Sequence, residues 1–279
     1  MKKNLLNLLK CPESGLELTL EDTKENDDGH ILAGFLVSLD GSNKYKVIDG
    51  IPRFVPESNY ADNFGMQWNH FRKTQLDSYS GQPISADRFW ASTGWDKSDM
   101  NNKWVLDIGC GAGRFAEIAL SSGANIVALD YSSAVDACYK NLEHHDKLHV
   151  IQGDIYKLPF KFEQFDFVYS IGVLQHTPDV KSSFFALKDH VKAGGKLCVD
   201  YYWKRIRTMF HAKYIFRPIT KRIPQDKLFA VLEKHISKDF QVDKVVPEHR
   251  AGGCSEGTGG SLGWIDSIVC YAILRSDFG

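Results

Sequence analysis

The segment Val105-Leu106-Asp107-Ile108-Gly109-Cys110-Gly111-Ala112-Gly113-Arg114-Phe115 constrains the fold more than any other part of the 279-residue chain. A short apolar strand ends beside an acidic residue and runs into Gly-x-Gly-x-Gly at the head of a helix. Glycines suit such a turn because the backbone reverses sharply and a ligand can approach it without a Cβ in the way. The rhythm then repeats. Apolar strands are expected at 104–108, 125–130, 148–153, 165–171 and 196–202, with amphipathic helices near 113–122, 133–144 and 179–191. Ser132 or Ser133 is placed to cap the second helix, and Asp179 the third. Strand and helix alternating in this way specify an α/β protein with a mostly parallel sheet covered on both faces. A ligand then belongs beyond the carboxyl ends of the strands.

The acidic residues at those ends narrow the ligand. A dinucleotide fingerprint wants its third glycine five residues after the first, where this chain has Arg114. Asp107 would repel a pyrophosphate but suits a ligand with an ammonium group, so an aminoacyl nucleoside fits better than a dinucleotide. The second strand ends at Asp130, where a carboxylate can accept from ribose hydroxyls. The third ends in Gly153-Asp154-Ile155, which offers Asp154 to an adenine amino group and Ile155 to the ring face.

Asp107 to Gly113, Ala128-Leu-Asp-Tyr-Ser132, Gly153 to Ile155 with Leu158-Pro-Phe160, Phe165 to Asp179 and Lys192-Ala-Gly-Gly-Lys196 together resemble the ordered motifs of class I S-adenosylmethionine-dependent methyltransferases, over roughly residues 104–203. The resemblance implies a Rossmann-like, seven-stranded, mostly parallel sheet whose last strand is antiparallel, with 240–246 and 268–275 available as the last two strands. It implies S-adenosyl-L-methionine as cofactor. Gly109, Gly111 and Gly113 would surround its methionine part and Asp107 its amino group. Asp130 and the following Tyr131 would face the ribose, Asp154 and Ile155 the adenine, and Ser170 and Ile171 the sulfonium and the acceptor.

A sulfonium methyl is already activated, so holding an acceptor in line supplies much of the rate. A base matters when the acceptor is a hydroxyl. His176, in Leu174-Gln-His-Thr-Pro-Asp179 just past the fourth strand, is the candidate, with a structural histidine as the alternative. Methyltransferases acting on base or amide nitrogens usually carry an Asn/Asp-Pro-Pro-aromatic run there. This chain reads Ser170-Ile-Gly-Val173, which makes an amide or base amine a poorer fit and moves up an oxygen, or else an activated carbon or nitrogen of a small molecule.

Three other zones surround this region. Residues 1–60 form a small, mainly β-rich lobe, and Cys11-Pro12 through Arg53 resembles the zinc-binding module that precedes some methyltransferase domains, including that of an rRNA guanine methyltransferase. Zinc needs about four ligands. Ser14 stands where Cys11 needs its partner, so the lobe is expected to hold no metal. The opening run Met1-Lys-Lys-Asn-Leu-Leu-Asn-Leu-Leu-Lys-Cys11 imitates a secretory signal, but Asn7 and Lys10 interrupt it, and a short amphipathic segment is expected.

Residues 61–103 are aromatic-rich and helical, and Asn63 to Gly81 resembles a segment of bacterial methyltransferases of surface-polysaccharide and secondary-metabolite pathways. Gln67, Trp68 and Arg88 are candidates to cover the cofactor, with core packing the alternative for Trp68. The methyltransferase domain, 104–279, carries a basic insertion at 204–225 with seven cations and no acid, among them Arg205, Arg207 and Arg217. It offers a contact for a phosphorylated acceptor or an anionic membrane surface.

The whole-chain charge of −1 hides that insertion, since neutrality argues only against a surface coated for nucleic acid. Six cysteines without a CxxC pair suit a reducing cytoplasm, and no apolar stretch approaches the ~20 residues of a membrane span. The expectation is therefore a cytoplasmic methyltransferase acting at oxygen on a small molecule such as a phosphorylated sugar, with neither DNA nor RNA as partner. The alternatives are a quinone- or lipid-type C-methyltransferase, an RNA methyltransferase and, outside enzymology, a cofactor-binding regulatory module.

Overall fold

A computed structural model describes residues 1–56, 61–202 and 267–273. Ten strands form one sheet. Four come from the N-terminal lobe: β1 (Leu18–Glu25), β2 (Ile31–Ser38), β3 (Lys44–Ile48) and β4 (Ile51–Arg53). Six follow: β5 (Trp104–Ile108), β6 (Asn125–Asp130), β7 (Leu148–Gln152), β8 (Phe165–Ser170), β9 (Val191–Tyr202) and β10 (Ser267–Ile273). Their order across the sheet is β1-β2-β3-β4-β7-β6-β5-β8-β9-β10. Strands β4 to β9 run parallel through the middle, β1 to β4 are antiparallel hairpins, and β10 lies antiparallel to β9. The fold is thus α/β, with a mostly parallel sheet and an antiparallel last described strand.

The sequence-based expectation set the lobe apart. Instead β4 pairs in parallel with β7 through Arg53 and Gln152. An open β7 would leave a row of unpaired backbone groups, and β4 covers that edge. The lobe's first residues form a 3₁₀ turn, Lys3–Leu8, whose Leu5 and Leu8 are buried. Residues 240–246 and the insertion 204–225 lie outside the described residues.

Successive side chains of a strand point to opposite faces, and here both faces are dry. From β5, Leu106 and Ile108 join a core with Leu5, Leu9, Leu36 and Phe160, while Val105 joins one with Phe89, Phe115, Ala128 and Tyr169. The second core lies under α3 (Ile84–Thr93), α4 (Arg114–Leu120) and α5 (Ala134–Leu142). Phe89 is fully buried, with ring contacts to Trp90, Trp95, Phe115 and Tyr169 at centroid distances of 4.8–6.3 Å. Burying one such ring stabilises by about 1.5–3 kcal/mol, so the aromatic content of 61–103 anchors this region on the sheet.

Two further helices, α1 (Asp62–His70) and α2 (Asp77–Ser80), precede α3, and α6 (Val180–Lys188) follows β8. Side-chain acceptors stand at the heads of α3, α6 and α5. The two carboxylate oxygens of Asp77 accept from the Ser85 and Ala86 N–H groups at the head of α3, at 2.9 and 2.8 Å. Asp179 accepts from the N–H groups of Lys181 and Ser182 at the head of α6. Ala134 donates to Ser132 Oγ at the head of α5.

Among the described residues, no group of three or more His, Cys, Asp or Glu side chains gathers as a metal set. The buried Cys11 thiol accepts from Ser14 N–H and lies 3.3 Å from the Tyr45 hydroxyl. Also among the described residues, no helix is long and apolar enough to cross a membrane.

Candidate active site

A cavity of about 360 Å³ opens at the carboxyl ends of β5, β6, β7 and β8. One wall is the glycine loop, Gly109 to Ala112. Gly109 has φ +78°, and a Cβ there would stand 2.4 Å from Val173 Cγ2, so only glycine fits. At Gly111 a Cβ would meet only the Trp68 indole, at 3.5 Å from Nε1.

Next to the loop, Asp130 closes β6 with both carboxylate oxygens engaged. Oδ1 accepts from the Ser132 N–H at 2.8 Å and the Ser132 hydroxyl at 2.7 Å, and Oδ2 accepts from the Gly111 N–H at 3.0 Å. A carboxylate offers about four lone-pair sites, and the Tyr131 backbone N–H also bears on this one, so the group is largely held by its own turn and the glycine loop. Burial raises its carboxyl above the ordinary range, and the bonds from Ser132 and Gly111 offset part of the rise. Tyr131, Asp154 and Ile155 continue the wall, with Asp154 Oδ1 accepting from the Tyr156 N–H at 2.9 Å. Ile171, Gly172, Val173, His176 and Thr177 close the side beyond β8, and the His176 side chain is exposed there.

The opposite wall comes from the helical segment: Trp68, Arg72, Gln75, Leu76 and Arg88, joined by Arg114 and Phe115 from α4. Each guanidinium is aimed by a polar partner. Arg72 Nη1 donates to Asn141 Oδ1 at 2.5 Å, and Asn141 Nδ2 in turn donates to the carbonyls of Arg72 and Ala112 at 2.9 Å. Arg114 Nε donates to Ser85 Oγ at 2.9 Å, and that hydroxyl donates to the Gln75 carbonyl. Arg88 pairs with the buried Asp200 carboxylate, which also accepts from the Gly172 N–H. Sequence reasoning singled out Arg88 but passed over Arg72 and Arg114. The only signal for Arg114 was its place directly behind the glycine loop.

Four expected site residues stand elsewhere. Asp107 is 2% exposed and lies behind the wall, with Oδ2 lacking a hydrogen-bond partner among the described residues. Burial pushes its carboxyl up to about 8, against the opposing effect of the Tyr169 hydroxyl, and the Asp130 charge adds to the rise. Gly113 does not face the cavity. A Cβ there would strike Leu142 Cδ1 at 2.7 Å and Cys138 Sγ at 3.1 Å, so this glycine lets α4 pack on α5. Ser170 is buried and its hydroxyl donates to the Ile108 carbonyl at 3.0 Å, a bond between neighbouring strands. Gln67 is exposed and off the cavity wall. Arg205, Arg207 and Arg217 lie outside the described residues.

A parallel sheet with a glycine loop at the end of one strand and an acid at the end of the next is the architecture of a nucleoside-binding α/β protein. Residues 106–199 match the family model described as a methyltransferase domain, so this part of the chain is a methyltransferase domain.

Among curated proteins, the chain is similar to the tRNA U34 carboxymethyltransferase of Vibrio parahaemolyticus, with 30% identity over 173 residues, 58% of this chain and 52% of that protein. It is likewise similar to those of Vibrio campbellii, with 33% identity covering 47% of this chain and 43% of that one, and Klebsiella pneumoniae, with 31% identity covering 44% and 40%. The chain thus spans about half the length, or less, of the curated relatives it matches.

Two solved structures align with it. The S-adenosylmethionine-dependent methyltransferase of Mesorhizobium loti is 23% identical, with 42% of this chain and 52% of that one covered and a TM-score of 0.37. Phosphoethanolamine N-methyltransferase 1 of Haemonchus contortus is 18% identical, with 52% and 32% covered and a TM-score of 0.42.

These relatives overturn the expected small-molecule acceptor and, with it, the expected absence of an RNA partner. Each curated relative above is named for action on a nucleotide of tRNA. The missing Asn/Asp-Pro-Pro-aromatic run bears on the acceptor atom and is silent on the size of the molecule that carries it.

Proposed function

We propose that this chain transfers an alkyl group from the sulfonium of an S-adenosylmethionine-type donor to an oxygen of a nucleotide in RNA. The observation that carries the proposal is the pairing of two unlike walls in one cavity. The glycine loop with Asp130, Asp154 and Ile155 suits an adenosine, and the wall of Trp68, Arg72, Arg88 and Arg114 suits an anionic, aromatic acceptor. The relatives named for tRNA, and the seven cations of 204–225, support RNA as that acceptor.

The residues fit the donor. Gly109 leaves the loop no Cβ, Asp130 stands in the cavity wall at the end of β6, and Ile155 offers an apolar face beside Asp154. When bound, the donor supplies an alkyl group already activated for attack. The chain's own work is to hold the acceptor in line, exclude water and take a proton from the attacking hydroxyl at a ring nitrogen of His176.

A second reading is favoured by the three arginines: a transferred group with a carboxylate of its own, as the relatives' name, carboxymethyltransferase, describes. Two donors labelled in the transferred group, one bearing methyl and the other carboxymethyl on sulfur, are incubated with the chain and either purified tRNA or a nucleic-acid-free metabolite extract. Nuclease-sensitive label in tRNA is expected, and the better donor decides between methyl and carboxymethyl. Label confined to the metabolite extract would sink the RNA assignment. The variant His176→Ala should lose turnover while keeping its affinity for S-adenosylhomocysteine.

A further inference from the structure

The N-terminal lobe approaches the donor side of the cavity at Arg53. Arg53 ends β4, and its guanidinium spans two elements of the methyltransferase domain. Nη1 donates to Gln152 Oε1 at 3.0 Å, and Nη2 pairs with Asp136 Oδ1 at 2.5 Å. Its side chain is 13% exposed against 31% for Asp136, so the guanidinium is largely shielded from water while the carboxylate keeps a partly open side.

Gln152 is buried and passes the contact on, its Nε2 donating to the Tyr131 carbonyl at 3.1 Å. Its own carbonyl accepts from the Phe54 N–H, and the next residue, Gly153, donates to the Asp130 carbonyl. Asp136 lies in the first turn of α5, just after the Asp130-Tyr131-Ser132 turn. The guanidinium therefore braces that turn from both sides, through the end of β7 and through the head of α5. Tyr131 and Asp130 line the cavity, whereas Arg53 does not.

We infer that Arg53 is a positioning residue for donor binding, through which the N-terminal lobe sets the Asp130–Tyr131 turn. The inference rests on reading the cavity as the donor site. A planar five-donor fork can hold a carboxylate and an amide oxygen at once in fixed directions, which a lysine ammonium cannot do with the same geometry. The role also accounts for a buried Gln152 in a strand that is otherwise mostly apolar: its amide has a donor on one side and an acceptor on the other, both used.

The lobe has a second clasp on the domain that makes a natural control. Lys2 Nζ donates to the carbonyls of His145, Asp146 and Leu148, past the end of α5 and away from the cavity. A lobe that serves only to stabilise the domain would give Arg53 and Lys2 variants the same phenotype.

The test is calorimetric titration of the full chain with S-adenosylhomocysteine, together with the donor KM and kcat on tRNA, for wild type, R53M, R53K, Q152M, R53M/Q152M and K2M. R53M is expected to weaken binding about tenfold, the size of one lost charge-assisted hydrogen bond, and to raise the donor KM with kcat nearly unchanged. R53K should recover little of the loss. The double variant should be no weaker than the stronger single variant by more than about twofold, because Arg53 and Gln152 act along one line. K2M should lower the melting temperature and leave the dissociation constant alone.

A folded R53M with wild-type affinity, or K2M weakening binding as much as R53M, overturns the inference. If R53M does not fold, R53K decides by the same affinity criterion. Failure of the wild type to bind S-adenosylhomocysteine overturns the donor site itself, and with it the inference.

Discussion

Arg88 on α3 donates to the carboxylate of Asp200 on β9 at 3.1 Å, and that carboxylate is 1% exposed. The same Asp200 accepts from the Gly172 N–H in the loop after β8. One buried charge thus ties the helical wall of the cavity to the strand end that carries His176. Removing Arg88 leaves that charge uncompensated, so R88M should destabilise the protein by about 3 kcal/mol. The double variant R88M/D200N should recover part of the loss. Urea unfolding of the three variants measures both effects, and a neutral R88M would show that Asp200 does not depend on the pair.

The glycine loop gives a graded prediction. G109A forces a methyl group to within 2.4 Å of Val173 in a left-handed backbone, which should cost about 2–4 kcal/mol and abolish S-adenosylhomocysteine binding. G111A, at φ +52°, meets only the Trp68 indole at 3.5 Å and should keep the fold while weakening the ligand. Thermal melts and titration of the two variants separate a loop that cannot take a side chain from one whose side chain would fill the cavity. Equal behaviour would mean that Val173 yields.

How much of this was legible in the sequence depended on whether the cause was local. The bounds of β5 and β6 fall where the apolar runs meet a glycine or an acid, as expected. Asp179 caps α6 because a short acceptor side chain sits just before the helix begins. β4 was missed because it has three residues with Pro52 in the middle, and its pairing with β7 joins residues about a hundred positions apart. The same kind of distant contact hid Arg72 and Arg114, which line the cavity with their guanidinium groups held by Asn141 and Ser85. Asp107 and Gly113 show the converse. Their motif position was plain, but burial and the packing of α4 on α5, which decide what they do, are tertiary.

Asp107 makes the stability of the ligand-free protein depend on pH. Its carboxyl rises from an ordinary 3.8 to about 8 on folding, chiefly through burial. The folded value lies above the unfolded one, so the stability associated with the protonated group is complete below pH 3.8 and is lost progressively as pH rises to about 8. D107N removes that dependence, and its melting temperature should overtake that of wild type as pH is raised through this window. Asp130 shifts in the same direction and leaves the variant a smaller slope. Parallel melting curves of the two proteins from pH 4.5 to 8.5 would refute a buried, neutral Asp107.

The RNA assignment makes its sharpest prediction in salt. A whole-chain charge of −1 would give a weak and nearly salt-independent attraction if charge were spread evenly, yet seven cations and no acid fall within 204–225. Each phosphate neutralised by such a cation releases counterions, and for single strands the slope of log K against log salt is about −0.7 for each. Replacing Arg205, Arg207 and Arg217 together by alanine should weaken tRNA binding and make the slope shallower by about 2, three cations at that value. Affinity for S-adenosylhomocysteine should not change, since the proposed donor contacts are Gly109, Asp130, Asp154 and Ile155. Fluorescence anisotropy with labelled tRNA between 50 and 300 mM salt reads both quantities. An unchanged slope would place the RNA contacts outside this insertion, and a slope near zero for the wild type would remove RNA as the partner altogether.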